Sequence, residues 1–209
     1  NERRRVTCVI GKGNNGGDAL VAARNLFESG WPVGVLMTCL PAKLEGDARE
    51  AWTDLHRAGI PHLVLADAGD WEEAAGNGRG AASLPLTGIV VDGLLGTGGR
   101  GAPSGVTAAA VRWIRAARKR ALVVAVDIPS GVDADSGDVA GDAVCADITV
   151  TFAYPKTGFL NLVAQSHIGH VVVADIGIHA DLAAAAEQAA DDAVQMIAAP
   201  GLNRLLPGR

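Results

Sequence analysis

Seven short runs of apolar, often β-branched residues recur along the chain, and they constrain its fold more than any other feature. They are VTCVI from Val6, VGVLM from Val33, HLVL from His62, IVVDGLL from Ile89, ALVVAVDI from Ala121, ITVTF from Ile148 and HVVVADI from His170. They read as strands buried on both faces, the pattern of a parallel sheet covered by helices. Helical stripes lie between several of them. Ala48, Ala51, Trp52 and Leu55 fall at i, i+3, i+4 and i+7, and Val106, Ala110, Trp113, Ile114 and Ala117 trace a second stripe. Both read as faces turned to a core. An alanine-rich acidic segment over 181–198 predicts one more helix. The alternation, with 27 glycines and only 4% aromatic residues in 209, predicts an α/β fold of thin helices on a mostly parallel sheet, in one domain.

Charge narrows the partners. A formal net charge of −5 gives no broad attraction for nucleic acid or for acidic membranes. The basic clusters RRR at 3–5 and RAARKR at 115–120 read as solvated surface. No apolar stretch reaches the roughly 18 to 20 residues that span a bilayer, and nothing resembles a signal peptide. Cys8, Cys39 and Cys145 form no C-x-x-C and read as buried, reduced thiols of a cytoplasmic protein. The five histidines show no metal-ligand spacing.

In a parallel sheet, ligands bind beyond the carboxyl ends of the strands, and four polar clusters follow strands here: GNNGGD, DGLLGTGGRG from Asp92, DIPSGVDADSG from Asp127, and YPKTG from Tyr154. Gly11, Gly13 and Gly16 spell G-x-G-x-x-G, in which glycines with positive φ would let backbone N–H groups approach a phosphate. The alternative is a tight turn with Asp18 as a helix N-terminal acid. A dehydrogenase usually carries an acid at the end of its second strand to hold a ribose, whereas Thr38, Cys39, Leu40 and Pro41 stand there. Asp92 can bind a cation or a proton, or cap its glycine-rich loop. Asp127 ends the most apolar strand and needs a partner, a ligand or a proton. Pro129 and Gly131 turn the backbone so that the Ser130 hydroxyl comes near the same edge. Lys156, between Pro155 and Gly158, is either surface charge or a phosphate-binding or proton-transferring group.

Taken in order, GNNGGD, VVDGLLGTG, VAVDIPSGVDADSG, ADITVTFAYPKTG and GHVVVADIGI resemble the NAD(P)H-hydrate epimerase family, the N-terminal half of bifunctional NAD(P)H-hydrate repair enzymes, over residues 6–178. The resemblance implies a Rossmann-like three-layer α/β/α fold, a homodimer, and interconversion of the R and S forms of hydrated NADH or NADPH. On that footing the nucleotide is substrate rather than cofactor. The resemblance further implies that Asn14, Asn15, Gly16, Gly17 and Asp18, together with Gly96, Thr97, Gly98, Gly99, Arg100, Gly101, Ala102 and Asp127, bind it. Asn15, Asp92 and Ser130 would ligate a potassium ion, and Asp127 and Lys156 are the acid/base candidates. Two departures stand out: Ala19 follows Asp18 where the family usually has glycine, and the family's helical segment before the first strand is missing. Residues 1–200 are expected to be the epimerase domain and 201–209 the start of a linker to an ATP/ADP-dependent dehydratase domain. Two other readings remain open, an NAD-dependent oxidoreductase and a non-catalytic nucleotide-binding scaffold.

Overall fold

Each of the seven apolar runs forms a strand, and all seven strands are parallel in one sheet. The structure, a computed structural model, describes residues 3–76 and 88–177. The strands are β1 (Val6–Ile10), β2 (Val33–Met37), β3 (His62–Val64), β4 (Gly88–Gly93), β5 (Ala121–Val126), β6 (Ile148–Phe152) and β7 (His170–Ala174). The helices are α1 (Asn14–Glu28), α2 (Gly46–Arg57), α3 (Ala68–Gly76), α4 (Gly105–Ala117) and α5 (Leu162–Ile168). Strand order is β3-β2-β1-β4-β5-β6-β7. The chain therefore builds outward from β1 to β3, then returns to β4 on the other side of β1 and builds the opposite way. Between β1 and β4 the loops diverge and leave a crevice at the carboxyl edge, the usual ligand site of such sheets.

Successive side chains of a strand point to opposite faces, and that divides the core in two. Cys8 and Ile10 of β1 join Val35 and Met37 of β2 under Leu20 of α1 and Leu55 of α2. Val9 joins Leu36, Val90 and Val123 under Trp113 and Ile114 of α4 and Trp71 of α3. Both predicted stripes face these cores, with Ala48, Leu55, Ala110, Trp113, Ile114 and Ala117 buried. The rings of Trp71 and Trp113 meet edge to face with centroids 5.7 Å apart, and the Trp71 indole donates to the Leu65 carbonyl at 2.9 Å. The architecture is thus helix, sheet, helix, as a Rossmann-like α/β/α fold requires.

Not every strand is buried on both faces. β1 and β2 are buried along their whole length, but β7 is exposed or half-buried throughout and β3 half-buried. Among the described residues these two are the edges of the sheet, each with a neighbour on one side only. Cys8 and Cys39 are buried and Cys145 is half-buried, all with free thiols. Cys145 lies in the loop before β6, not in a strand. The predicted helix over 181–198 and the junction at 201–209 lie outside the described residues.

Candidate functional site

The four polar clusters stand at the carboxyl ends of β1, β4, β5 and β6, and so along one edge of the sheet. A cleft of about 690 Å³ opens there, within the range of small-molecule sites. Asn14, Asn15, Asp18, Gly96, Thr97, Gly98, Gly99 and Asp127 line it, with Lys12, Thr38, Cys39 and Lys43 on the β2 side.

The glycine turn works by close approach. None of Gly11, Gly13, Gly16 and Gly17 has a positive φ, contrary to the role expected for them. Instead, a Cβ on Gly16 would strike the carbonyl of Gly11, and one on Gly11 would strike the carbonyl of Leu94. Only hydrogen fits where β1, the loop after β4 and the first turn of α1 meet. α1 begins at Asn14 with no acid in its first turn, so Asp18 lies inside the helix and is not an N-terminal acid. Burial raises the Asp18 carboxyl above its ordinary range, and the negative charges of Asp127 and Asp47 add to this. Gly16 and Gly17 are buried under this turn and hold its shape without lining the cleft.

Below the cleft, Asn15 and Ser130 meet at the backbone of Leu95, and Asp92 holds Ser130 from beneath. The Asn15 side chain donates to the Leu95 carbonyl at 2.9 Å, and Leu95 N–H donates to the Ser130 hydroxyl at 2.9 Å. Ser130 in turn donates its hydroxyl to Asp92 Oδ1 at 2.7 Å and its backbone N–H to Oδ2 at 2.8 Å. Asp92 is completely buried and has no basic partner within ion-pair distance among the described residues. Burial pushes its carboxyl up to about 6, although the hydrogen bonds from Ser130 and Leu94 oppose this. Gly131 at φ 96° makes the turn that delivers Ser130. The donor set is one carboxylate with neutral oxygens, a composition suited to a hard cation of low charge, and the Asn15 Oδ1 accepts no hydrogen bond among the described residues.

At the β5 end, Asp127 has found its partner. Lys156 Nζ lies 2.6 Å from Asp127 Oδ1, so it is not a surface charge. The same oxygen accepts from the Thr151 hydroxyl at 3.2 Å and from Phe152 N–H at 3.1 Å. Lys156 also donates to the carbonyls of Phe152 and Tyr154. Asp127 Oδ2 accepts no hydrogen bond among the described residues. Both Asp127 and Ala153 are held at positive φ, 64° and 60°. Each stands at the centre of a γ-turn, closed by Ile128 N–H to the Val126 carbonyl and by Tyr154 N–H to the Phe152 carbonyl. Such turns are rare and strained.

The glycine-rich loop after β4 divides. Gly96 to Gly99 line the cleft, whereas Arg100 pairs with Asp133 at 3.0 Å and Asp135 at 2.6 Å. Gly101 lines a smaller neighbouring cavity with Pro129 and Ser136, and Ala102 is exposed beside it. Sequence reasoning missed Thr151, Lys12 and Lys43. Lys12 lay inside the glycine motif as quoted, but Thr151 looks like any strand threonine until the register puts it beside Asp127.

Residues 1–158 match the family model described as YjeF-related protein N-terminus. The chain is 40% identical over 175 residues to an NAD(P)H-hydrate epimerase of Pirellula staleyi, covering 84% of this chain and 74% of the relative. It is 39% identical over 181 residues to a bifunctional NAD(P)H-hydrate repair enzyme Nnr of Moorella thermoacetica, covering 87% of this chain but only a third, 33%, of the relative. A crystal structure of yeast ynu0 superposes with a TM-score of 0.66 at 24% identity, covering 88% of this chain and 71% of that one. At that identity it supports the fold alone.

Proposed function

Because this chain belongs to the YjeF-related protein N-terminus family, we propose that it is an isomerase that interconverts the R and S forms of hydrated NADH and NADPH, as part of the repair of nicotinamide nucleotides. Relatives covering most of the chain carry the name NAD(P)H-hydrate epimerase. The observation that carries the reading is Asp127 at the cleft wall, with Lys156 paired to it from behind. The pair sets a fixed ammonium beside a carboxylate that keeps one oxygen free.

Epimerisation at a hydrated carbon needs the carbon–oxygen bond to open and re-form on the other face. In this reading the Lys156 ammonium gives a proton to the departing hydroxyl, which leaves as water while the ring nitrogen lone pair supplies the electrons. Water then adds to the opposite face of the planar carbon, and its proton goes to Asp127 Oδ2. Loss of that proton from Oδ2 and return of one to Lys156 Nζ, held 2.6 Å from Oδ1 of the same carboxyl, restore both groups, and no redox equivalent is consumed. Geometry supports the roles, since both groups lie within proton-transfer reach of each other.

Asn15, Asp92 and Ser130 would hold a potassium ion. An ion there would supply the positive charge that buried Asp92 lacks and would fix the Leu95 loop beneath the nucleotide. Asn14, Asn15, Asp18 and Gly96 to Gly99 would contact the nucleotide directly, with Gly16 and Gly17 shaping the turn and Arg100 to Ala102 anchoring the loop. We further propose a homodimer acting in the cytoplasm, and a dehydratase, fused or separate, that consumes one epimer. Among the described residues no helix is long and apolar enough to cross a membrane.

The test is to supply purified R-hydrate and follow appearance of the S form. Wild-type protein should bring the two forms to equilibrium, and Asp127→Asn should abolish this while leaving the circular dichroism spectrum intact. Normal turnover in that folded variant would remove Asp127 from the mechanism, and hydride transfer to an alcohol or acid would favour the oxidoreductase reading instead.

A further inference from the structure

The cleft has a basic end that the chemistry at Asp127 does not use. Lys12 and Lys43 both line it, and among the described residues neither ammonium has an ion-pair or hydrogen-bond partner, whereas Lys156 has three. Their charges converge at the end of β2. Burial raises the Cys39 thiol, and the two charges that pull it back down are Lys43 and Lys12. Asp18, which also lines the cleft, feels the carboxylates of Asp127 and of Asp47, the latter in the first turn of α2 just beyond Lys43.

The turn carrying Lys43 is built to stay in place. Pro41 begins a short 3-10 helix over Pro41–Lys43. The Arg49 guanidinium, reaching from α2, donates to the Leu44 carbonyl at 2.7 Å and to the Ala42 carbonyl at 3.2 Å, bracketing Lys43. Thr38 and Cys39 occupy the position where an acid would hold a ribose hydroxyl. Thr38 turns its own hydroxyl inward to the Ile10 carbonyl at 3.1 Å.

We propose that Lys43 and Lys12 form a subsite for the 2′-phosphate of the adenosine ribose, so that the hydrate of NADPH is preferred over that of NADH. The proposal rests on the epimerase reading for what lies at the other end of the cleft. With the reacting ring at Asp127 on β5 and the pyrophosphate over the glycine turn after β1, the adenosine half falls over β2. From β2 to β5 are three strand spacings, roughly 14 Å, a span suited to a stretched dinucleotide. A carboxylate at the end of β2 would repel a 2′-phosphate, and two unpaired ammonium groups there attract it.

The test has a binding arm and a kinetic arm. In titration calorimetry at fixed ionic strength, wild-type protein should bind 2′,5′-ADP at least roughly tenfold more tightly than 5′-AMP, the scale of one charge-assisted hydrogen bond. The double variant Lys12→Met, Lys43→Met should bind the two alike, and Lys43→Arg should keep most of the difference. In epimerisation assays the double variant should lose the wild-type difference in KM between the hydrates of NADPH and NADH, with kcat for the NADPH hydrate changed far less than KM. Equal weakening toward 2′,5′-ADP and 5′-AMP would make the lysines ligands of the shared 5′-phosphate and overturn the proposal, as would wild-type protein that does not distinguish the two. The binding arm needs no turnover. If neither hydrate is epimerised, the functional reading fails while the subsite is still scored.

Discussion

A left-handed backbone is uncommon at a non-glycine residue and marks stored strain. Asp127 and Ala153 carry one each, at the ends of adjacent strands, and the benefit falls on Lys156. The turn at Ala153 aims two carbonyls at the ammonium, and the turn at Asp127 brings the carboxylate to it. Lys156→Met should therefore lower turnover by roughly 10² to 10⁴, the range of general acid–base groups, with only a modest loss of nucleotide affinity. Single-turnover kinetics with a parallel binding titration would check this, and lost affinity with turnover intact would make Lys156 a phosphate ligand.

Asp92 supplies a test of the cation. Its carboxyl is raised to about 6 when folded, against about 3.9 in an unfolded chain. Stability linked to this group is fully present below pH 3.9 and is lost as the pH rises through 6, by roughly 3 kcal/mol at most. In potassium-free buffer, urea unfolding should show wild-type protein losing stability relative to Asp92→Asn between pH 4 and pH 7. Potassium should flatten that difference by favouring the ionised carboxylate. A difference that potassium leaves untouched would count against a cation at this site.

The element that depends most on single atoms is the first turn of α1. A methyl at Gly16 meets the Gly11 carbonyl, which is backbone and cannot swing aside, whereas a methyl at Gly13 meets nothing within 4 Å. Gly16→Ala should cost roughly 1 to 3 kcal/mol by overpacking, and Gly13→Ala less than half of that. Equal costs in chemical denaturation would remove the steric account of the turn. The glycines were legible in the sequence, and their reason was not. A G-x-G-x-x-G pattern is read equally well as positive φ or as close packing, and only the neighbouring Leu94 backbone decides between them. Strands were the most legible elements because β-branched runs repeat without competing helical periodicity. Their burial was overread at β3 and β7, since a run of valines does not say whether a strand has two neighbours or one.

Across the molecule, the order of the sheet was not written in any segment. It follows from where the loops cross, which is why the sequence could place four clusters at one edge of the sheet but could not say which of them stand side by side. That Asp127 needs a partner could be read from its place at the end of an apolar strand, because buried charges demand one, whereas the grouping of Asn15 with Asp92 and Ser130 came from the family resemblance. Lys12 and Lys43 could not be read in this way, since an exposed lysine has no such demand and only the cleft gives it meaning. Both walls of that cleft hang from neighbouring strands of a single hydrogen-bonded sheet, with no second lobe among the described residues. These parts of the site are thus held in place by the sheet itself and do not depend on two lobes swinging shut. Such a site works as an open bench, not a jaw. It gives up tight sequestration in return for ready exchange of the ligand.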